Sequence, residues 1–206
     1  NLLIQDSKNF GLENSFHLHM MPNLGLKEGR EIMKYATQNE FGTTDIQFII
    51  KGAIKEAGLL LLLNKYISSK TGIYPFSESF NVRNAPKTLN GLVKLCIDKI
   101  PINQMPLLIG VGDTVTSSKD NNSNSWLRGG SDRGFLTLIQ KLGDFYNKEN
   151  QVIFVNSSNE KVLRPRVHGS DMTGVSDPND YLKFNMVIND GPEEYIEWFK
   201  QLASHF

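Results

Sequence analysis

The second half of the chain alternates short apolar runs with amphipathic segments, and this alternation limits its fold more than any other feature. Three runs read "PLLIGVGD" (106–113), "QVIFVNSS" (151–158) and "LKFNMVIND" (182–190). Their all-apolar centres predict short strands covered on both faces. A helical pattern lies between the first two runs at the length of a strand-to-strand crossover, an irregular stretch (159–180) precedes the third, and further helical patterns lie before the first run and after the third. The sequence therefore predicts an α/β fold, with a Rossmann-like parallel sheet and flanking helices.

The helical segments of this half carry their own start signals. "PKTLNGLVKLCIDKI" (86–100) predicts a helix with Pro86 at its first position. Ser131 is predicted to cap the helix of "SDRGFLTLIQKLGDFY". Pro192 and the acids after it open the last helix, "GPEEYIEWFKQLASHF". Because each helix returns the chain to the same sheet, functional side chains are expected where the strands end.

Residues 1–80 carry mostly helical patterns. "LKEGREIMKYATQ" (26–38) and residues 43–72 place apolar side chains at helical spacing, and Gly72 marks the end of the second segment. The turn-rich stretch that follows predicts a boundary near Phe80. We therefore expect two domains: a mainly helical, cap-like lobe over 1–80 and an α/β part over 81–206. The apolar, strand-like opening "NLLIQD" has no initiator Met, which predicts a piece of a longer protein.

Composition argues against several classes of partner. Lys plus Arg and Asp plus Glu both number 22, and no basic stripe suggests a nucleic-acid or membrane surface. The longest apolar run, "GLLLLL", is far shorter than the ~18 residues that a membrane span needs. The single cysteine, Cys96, lies among apolar residues, as expected of a core thiol in a reducing compartment. We expect a cytoplasmic protein with no nucleic-acid or membrane partner.

Asp113 is the first candidate for chemistry. It follows the first predicted strand directly, so its carboxylate is expected in the crevice at the sheet edge. Gly110 and Gly112 leave room for another group beside the backbone, and a carboxylate oxygen is a ligand that suits Mg²⁺. The alternative is an ordinary turn aspartate that caps a loop.

Lys87 is the second candidate. It lies in the first turn of a predicted helix, where the positive end of the helix dipole disfavours a cation. A lysine beside the same strand ends would neutralise a phosphate. The alternative, a solvated surface lysine, needs no function at all.

A long polar loop, "TVTSSKDNNSNSWLRGGSD" (114–132), separates Asp113 from the next helix. Long loops at strand ends often carry function. Asp132, at the end of this loop, is either a second carboxylate held near Asp113 or a favourable acid at a helix start. Polar side chains of the loop are candidate phosphate or sugar contacts: Thr114, Thr116, Arg128 and Ser131.

The spacing of these residues resembles a known family. A lysine at a helix start, then "GVGDT", then a helix opening with "SD" resembles the third and fourth motifs of the haloacid-dehalogenase-like phosphatases. From about Phe80 to the C-terminus the chain is similar, more closely, to the cyanobacterial glucosylglycerol 3-phosphate phosphatases, which are salt-tolerance enzymes. The segments that carry this similarity are "FNVRNAPKTLNGLVKL", "MPLLIGVGDTVTS", "WLRGGSDRGFLTLIQKLG" and "GPEEYIEWFKQLA".

The resemblance implies a Mg²⁺-dependent phosphatase that acts on a sugar phosphate through an aspartyl-phosphate. Lys87 matches the motif-three lysine, which stabilises charge on the phosphate. Asp113 matches the motif-four metal ligand, and Asp132 matches the later acid of that motif, displaced by an inserted loop. Thr114, Arg128 and Ser131 become candidate substrate contacts. The implied reaction converts glucosylglycerol 3-phosphate to glucosylglycerol, a compatible solute made under salt stress.

One motif of that family is missing from the sequence. The nucleophile motif is D-x-D after an N-terminal strand, but in "LLIQDSKN" the residue two positions after Asp6 is Lys8. The hypothesis is that this chain is the C-terminal part of the phosphatase, that an N-terminal portion carries the nucleophile, and that the chain alone can be inactive. The alternative is a non-catalytic α/β module that binds a phosphorylated sugar or a protein partner.

Overall fold

A computed structural model describes residues 2–12, 15–27, 30–39, 41–43, 45–50, 54–120, 123, 125–157 and 164–205. In chain order the elements are α1 (Leu2–Asn9), β1 (Phe16–Met21), β2 (Leu26–Lys27), β3 (Arg30–Glu31), β4 (Asp45–Ile50), α2 (Lys55–Thr71), α3 (Leu89–Lys99), a 3-10 turn (Ile102–Gln104), β5 (Ile109–Gly112), β6 (Thr116–Lys119), β7 (Trp126–Gly129), α4 (Arg133–Tyr146), β8 (Gln151–Val155), β9 (Met186–Ile188) and α5 (Pro192–Ala203).

The chain forms two compact units. The first comprises residues 1–21 and 31–105, and the second comprises residues 22–30 and 106–206. The predicted domain boundary near Phe80 falls inside the first unit. Within the described ranges, no helix is long and apolar enough to cross a membrane.

The first unit combines a helical pair with an antiparallel strand pair. β1 and β4 run antiparallel, with Phe16 opposite Ile50 and Met21 opposite Asp45. Helix α2 buries Leu60 and Ile67, and α3, which contacts it, buries Leu92 and Cys96. As predicted, α2 ends at Gly72, which is the left-handed residue after its last turn.

Three local predictions within residues 1–50 were wrong. Residues 26–38 were predicted to be helical, but the residues described there form the short strands β2 and β3 and no helix, and Gly29 interrupts the helical pattern of the sequence. Residues 43–50 were predicted to begin a helix, but 45–50 form β4, whose isoleucines and phenylalanine favour a strand. The run predicted as strand-like at the N-terminus forms α1 instead. Thr44 and residues 51–53 lie outside the described residues.

The second unit confirms the α/β prediction. Three of its strands form a parallel sheet in the order β5, β8, β9, with Val111 beside Ile153 and Ile153 beside Met186. Helix α4 packs on β5 and β8, and buries Leu136, Leu142 and other apolar residues on one face. The final helix, α5, begins at Pro192, as predicted.

Strand β5 differs from its prediction in one respect. The sequence predicts a strand covered on both faces, but Leu107 is 57 % exposed and Ile109 is 46 % exposed. In the described part of the chain β5 pairs with β8 alone, so its other edge is open. An apolar strand with an open edge is a surface onto which a further strand can add.

The polar loop and the helix starts also differ from the predictions. The predicted loop contains an antiparallel hairpin, β6 and β7, with Thr116 opposite Gly129; Asn121, Asn122 and Asn124 lie outside the described residues. Helix α3 begins at Leu89, not at Pro86, because the Thr88 side chain accepts the Gly91 N–H and caps it there. Helix α4 begins at Arg133, so Asp132, not Ser131, occupies the N-cap position, although its side chain makes no capping hydrogen bond.

Candidate functional site

The carboxyl ends of the three parallel strands meet at one edge of the second unit. Asp113 follows β5, Asn156 and Ser157 follow β8, and Asn189 follows β9. The Asn156 amide group donates to the carbonyl oxygen of Asn189 at 3.1 Å and so joins two of these ends. Since ligands of α/β sheets bind at this edge, the candidate site is built here.

Asp113 is the half-buried carboxylate at the centre of the site. Its Oδ1 accepts a hydrogen bond from the Thr114 hydroxyl at 2.6 Å, and its Oδ2 lies 3.1 Å from Arg164 Nη1. Burial opposes ionisation of this carboxyl. The hydrogen bonds of Thr114 and Ser157 and the charge of Arg164 outweigh burial and lower the pKa of Asp113. Asp113 is therefore an anion at neutral pH.

Asp132 lies beside the Asp113 backbone, at the start of α4, and is only 3 % exposed. Its Oδ2 accepts the backbone N–H groups of Asp113 and Thr114, each at 2.9 Å. Gly112 permits this approach, because a Cβ there would lie 2.8 Å from the Cβ of Asp132. The space beside Gly110 and Gly112 is thus filled by side chains of α4 and by Asp132, the residue before this helix. In this structure Asp132 fixes the loop that carries Asp113.

Two of the other predicted phosphate or sugar contacts, Arg128 and Thr116, form hydrogen bonds with other parts of the protein. The Arg128 guanidinium makes two 2.8 Å bonds to the carboxylate of Asp177, which is fully buried. Thr116 donates to the carbonyl oxygen of Asn23 at 2.8 Å. Ser131 is half-buried, directly before Asp132. These contacts place Arg128 and Thr116 in internal hydrogen bonds, and a substrate role for Thr114, Arg128 and Ser131 stays a prediction.

Lys87 lies in the first unit, before the helix that was predicted to contain it. Because Thr88 caps α3, Lys87 lies outside its first turn, and the dipole argument for this residue does not hold. Its ammonium group donates to the carbonyl oxygens of Arg83, at 2.8 Å, and Val82, at 3.2 Å. The side chain is exposed and closes a turn, and its place beside Asp113 stays a prediction.

Of the two carboxylates at this site, Asp113 is the better placed to bind a hard cation such as Mg²⁺. Mg²⁺ is commonly held by one or two carboxylates, with water and phosphate oxygens completing its shell. Asp113 fits this role, because its side chain is 37 % exposed at the edge of the sheet. Asp132 fits less well, because one of its oxygens already accepts two backbone N–H groups. Within the described ranges, no group of three His, Cys, Asp or Glu side chains is placed to share a metal ion.

Sequence reasoning missed Arg164, Ser157 and Asp177. Arg164 lies in an irregular segment, 51 positions after the aspartate that it contacts, so no spacing points to it. Ser157 follows a buried strand, which was the one signal available for it. Asp177, buried beneath the hairpin, accepts bonds from Arg128 and from the Ser117 hydroxyl.

Among the cavities of the second unit, two are lined entirely by described residues near the parallel sheet or the hairpin. One, of about 430 Å³, opens where β8 and β9 end and has a polar lining: Asn156, Ser157, Arg166, Asn189, Asp190 and Glu193. The other, of about 800 Å³, lies beside β6 and is more apolar, with Trp126, Met172 and Phe184 in its wall. The smaller cavity adjoins the candidate site, because Ser157 lines it and also contacts Arg164, the partner of Asp113.

Comparison with known proteins gives a consistent family. A family model described as "Glucosylglycerol-phosphate phosphatase" matches residues 1–203. A protein of that name from Synechocystis sp. is 44 % identical over 205 residues, which cover 94 % of this chain and 49 % of the relative. The chain thus spans about half the length of the curated relative that it matches. No solved structure matches the chain. The chain belongs to the glucosylglycerol-phosphate phosphatase family.

Proposed function

We propose that this chain is the C-terminal part of a cytoplasmic, Mg²⁺-dependent phosphatase that hydrolyses glucosylglycerol 3-phosphate to glucosylglycerol and phosphate. The observation that carries the proposal is the ionised Asp113 at the end of β5, in a chain of this family. The product would be a compatible solute made in the response to salt stress.

The contacts of Asp113 support its role as a metal ligand. The carboxylate is an anion, it is accessible at the sheet edge, and the hydrogen bonds from its own loop to Asp132 hold it in place. Such a preorganised oxygen loses little entropy when a cation binds. Mg²⁺ held there would offset the negative charge of a phosphate monoester. The side chain of Thr114 orients Oδ1 of Asp113, and Oδ2, which lies 3.1 Å from Arg164 Nη1, is the oxygen proposed to bind the cation.

Lys87 is proposed to stabilise charge on the bound phosphate, as the resemblance to the third phosphatase motif implies. Its ammonium is exposed and donates hydrogen bonds to backbone carbonyl oxygens, and no carboxylate is among the partners in those bonds. This arrangement leaves its charge available to an anion.

The nucleophile is proposed to lie in an N-terminal portion of the same protein. The relative is about twice as long as the matched region, and the present sequence contains no D-x-D. The open edge of β5, with Leu107 and Ile109 exposed, is a surface of the kind that a strand from that portion would cover.

The test is phosphate release from glucosylglycerol 3-phosphate with Mg²⁺, measured for the chain alone and with the N-terminal portion added. Release only from the mixture supports the proposal, and glycerol 3-phosphate and glucose 6-phosphate serve as comparison substrates. Release from the chain alone would place a nucleophile within these 206 residues. No release from either, with binding of the sugar phosphate retained, would favour the alternative of a non-catalytic binding module.

A further inference from the structure

Arg164 is paired with Oδ2 of Asp113, the carboxylate oxygen that the Thr114 hydroxyl does not contact. Its Nη1 lies 3.1 Å from Asp113 Oδ2 and 2.6 Å from the Ser157 hydroxyl. The other oxygen, Oδ1, accepts the Thr114 hydroxyl. Both oxygens of the proposed metal ligand therefore already have partners, and a cation that binds at Oδ2 would compete with the guanidinium for that oxygen.

The chain around Arg164 is tied to the strand ends. Val167 donates its N–H to the side-chain oxygen of Asn156 at 2.9 Å, and its carbonyl oxygen accepts the Asn156 amide at 2.9 Å. Val167 itself is buried. These two bonds anchor the residues next to Arg164 at the end of β8. The side chain of Arg164 is 23 % exposed, so it reaches the site from a fixed base and keeps access to solvent.

The charges decide where the guanidinium goes when a ligand binds. A divalent cation at Asp113 repels the positive charge of Arg164, since both would share one carboxylate. An anion placed between the two cations removes this repulsion. Phosphate has several oxygens, and the planar fork of a guanidinium matches their geometry with paired hydrogen bonds. A phosphate monoester bound beside the cation therefore has Arg164 within its reach.

We propose that Arg164 is a phosphate-binding residue, which pairs with Asp113 before a ligand binds and turns onto the phosphoryl oxygens once a cation and a phosphate ester are bound. This inference rests on the proposed function, because it takes Asp113 as the metal ligand. It adds a second positive side chain to Lys87, and this one belongs to the second unit, next to Asp113.

The test is calorimetric titration of the chain and its variants, first with Mg²⁺ alone and then with inorganic phosphate at saturating Mg²⁺. For Arg164→Gln we expect phosphate to bind at least about tenfold more weakly, the effect of losing a charge-assisted hydrogen bond. Mg²⁺ alone should bind this variant more tightly, because its competitor at Asp113 is gone. Arg164→Lys, which keeps the charge but loses the fork, should restore part of the phosphate affinity.

Lys94→Gln is the matched control, since it removes one positive charge from an exposed pair on α3, and it should bind both ligands like the parent chain. Phosphate affinity unchanged in Arg164→Gln, or no phosphate binding by the parent chain, would overturn the inference. Weaker Mg²⁺ binding in Arg164→Gln would also overturn it, because the arginine would then be supporting the carboxylate. Asp113→Asn separates the two proposals: if that variant binds Mg²⁺ like the parent, the proposed metal site itself fails.

Discussion

Asp132 Oδ2 accepts the backbone N–H of Asp113 at 2.9 Å, although 19 positions separate the two residues. The same oxygen accepts the N–H of Thr114, so one buried carboxylate fixes both residues that follow β5. The bond in the other direction, from the Asp132 N–H to the carbonyl oxygen of Thr114, closes the loop at 3.1 Å. The start of α4 thus determines where the candidate metal ligand lies.

Gly130→Ala should disrupt this loop. Gly130 has a φ of 100°, and a Cβ at this position would fall on the carbonyl oxygen of Thr114. Both the backbone conformation and the close approach exclude a side chain, so we expect a loss of about 2–4 kcal/mol in the free energy of unfolding. Urea denaturation followed by circular dichroism measures it.

Gly169→Ala is the control for that experiment. Gly169 also has a positive φ, of 61°, but a Cβ there would meet no atom within 4 Å. Only the conformational cost of about 1 kcal/mol is expected. Equal losses in the two variants would show that the contact between Gly130 and Thr114 contributes nothing.

Asp177→Asn should make the protein less sensitive to acid. The hydrogen bond from Arg128 lowers the pKa of Asp177, burial opposes this, and the Ser117 hydroxyl adds to the lowering. A carboxyl whose pKa is lowered by folding stabilises the protein above its unfolded pKa of about 4, and this contribution is lost as the pH falls below that value. The parent chain should therefore lose stability between about pH 4 and pH 2, and the variant should lose less.

At neutral pH the same substitution should cost about 2–4 kcal/mol, because Arg128 loses its closer carboxylate and keeps only Asp180, at 3.8 Å. The partial exposure of Arg128 to water keeps this cost below that of breaking a fully buried pair. Unfolding by urea at several pH values gives both quantities. Asp98→Asn, at an exposed position of α3, is the control and should follow the parent curve. An Asp177→Asn curve parallel to that of the parent in acid would contradict this role for the carboxyl.

The main features of the second unit follow from its sequence because they depend on local patterns. Apolar runs, Pro192 at a helix start and helical periodicity are properties of neighbouring residues, and β5, β8, β9 and α5 form where these patterns predict. The β6–β7 hairpin was missed because its polar side chains have no period-two apolar pattern. Its stability comes instead from contacts with distant residues, such as the bond between Thr116 and Asn23.

The candidate site was predictable in part for the same reason. The end of a predicted strand indicates Asp113, and the start of the next predicted helix indicates Asp132. Arg164, which contacts Asp113, comes from an irregular segment. Such long-range pairs leave no periodic signal in a single sequence. The helix start predicted at Pro86 was wrong because proline and threonine both favour a helix start, and the hydroxyl of Thr88 decides between them.

Lys87→Ala should lower phosphate release by about 10²–10³-fold if this lysine stabilises the charge of the transferring group. Its side chain is exposed and bonds only to backbone carbonyls in the described structure, so the melting temperature should change little. The comparison is made in the chain combined with its N-terminal portion, with Lys94→Ala as the control. Equal phosphate release by Lys87→Ala and Lys94→Ala would show that Lys87 is an ordinary surface lysine.

Cys96 should resist thiol reagents in the native protein. It is fully buried in α3, and burial raises the pKa of its thiol to about 12, so almost no thiolate is present at neutral pH. Ellman's reagent should therefore react only after unfolding in guanidinium chloride. Because the chain contains one cysteine, the absorbance reports this residue alone. Fast reaction in native buffer would show that the contact between α2 and α3 opens readily.

The most direct test of the account compares Asp113→Asn with Asp98→Asn in the chain combined with its N-terminal portion. The measurement is Mg²⁺-dependent phosphate release from glucosylglycerol 3-phosphate, with calorimetric titration of Mg²⁺ on the same samples. Asp98→Asn should behave like the parent, because its side chain is exposed on α3. Asp113→Asn should lose both Mg²⁺ binding and phosphate release while it keeps its fold by circular dichroism. Full activity and unchanged Mg²⁺ affinity in Asp113→Asn would contradict the account.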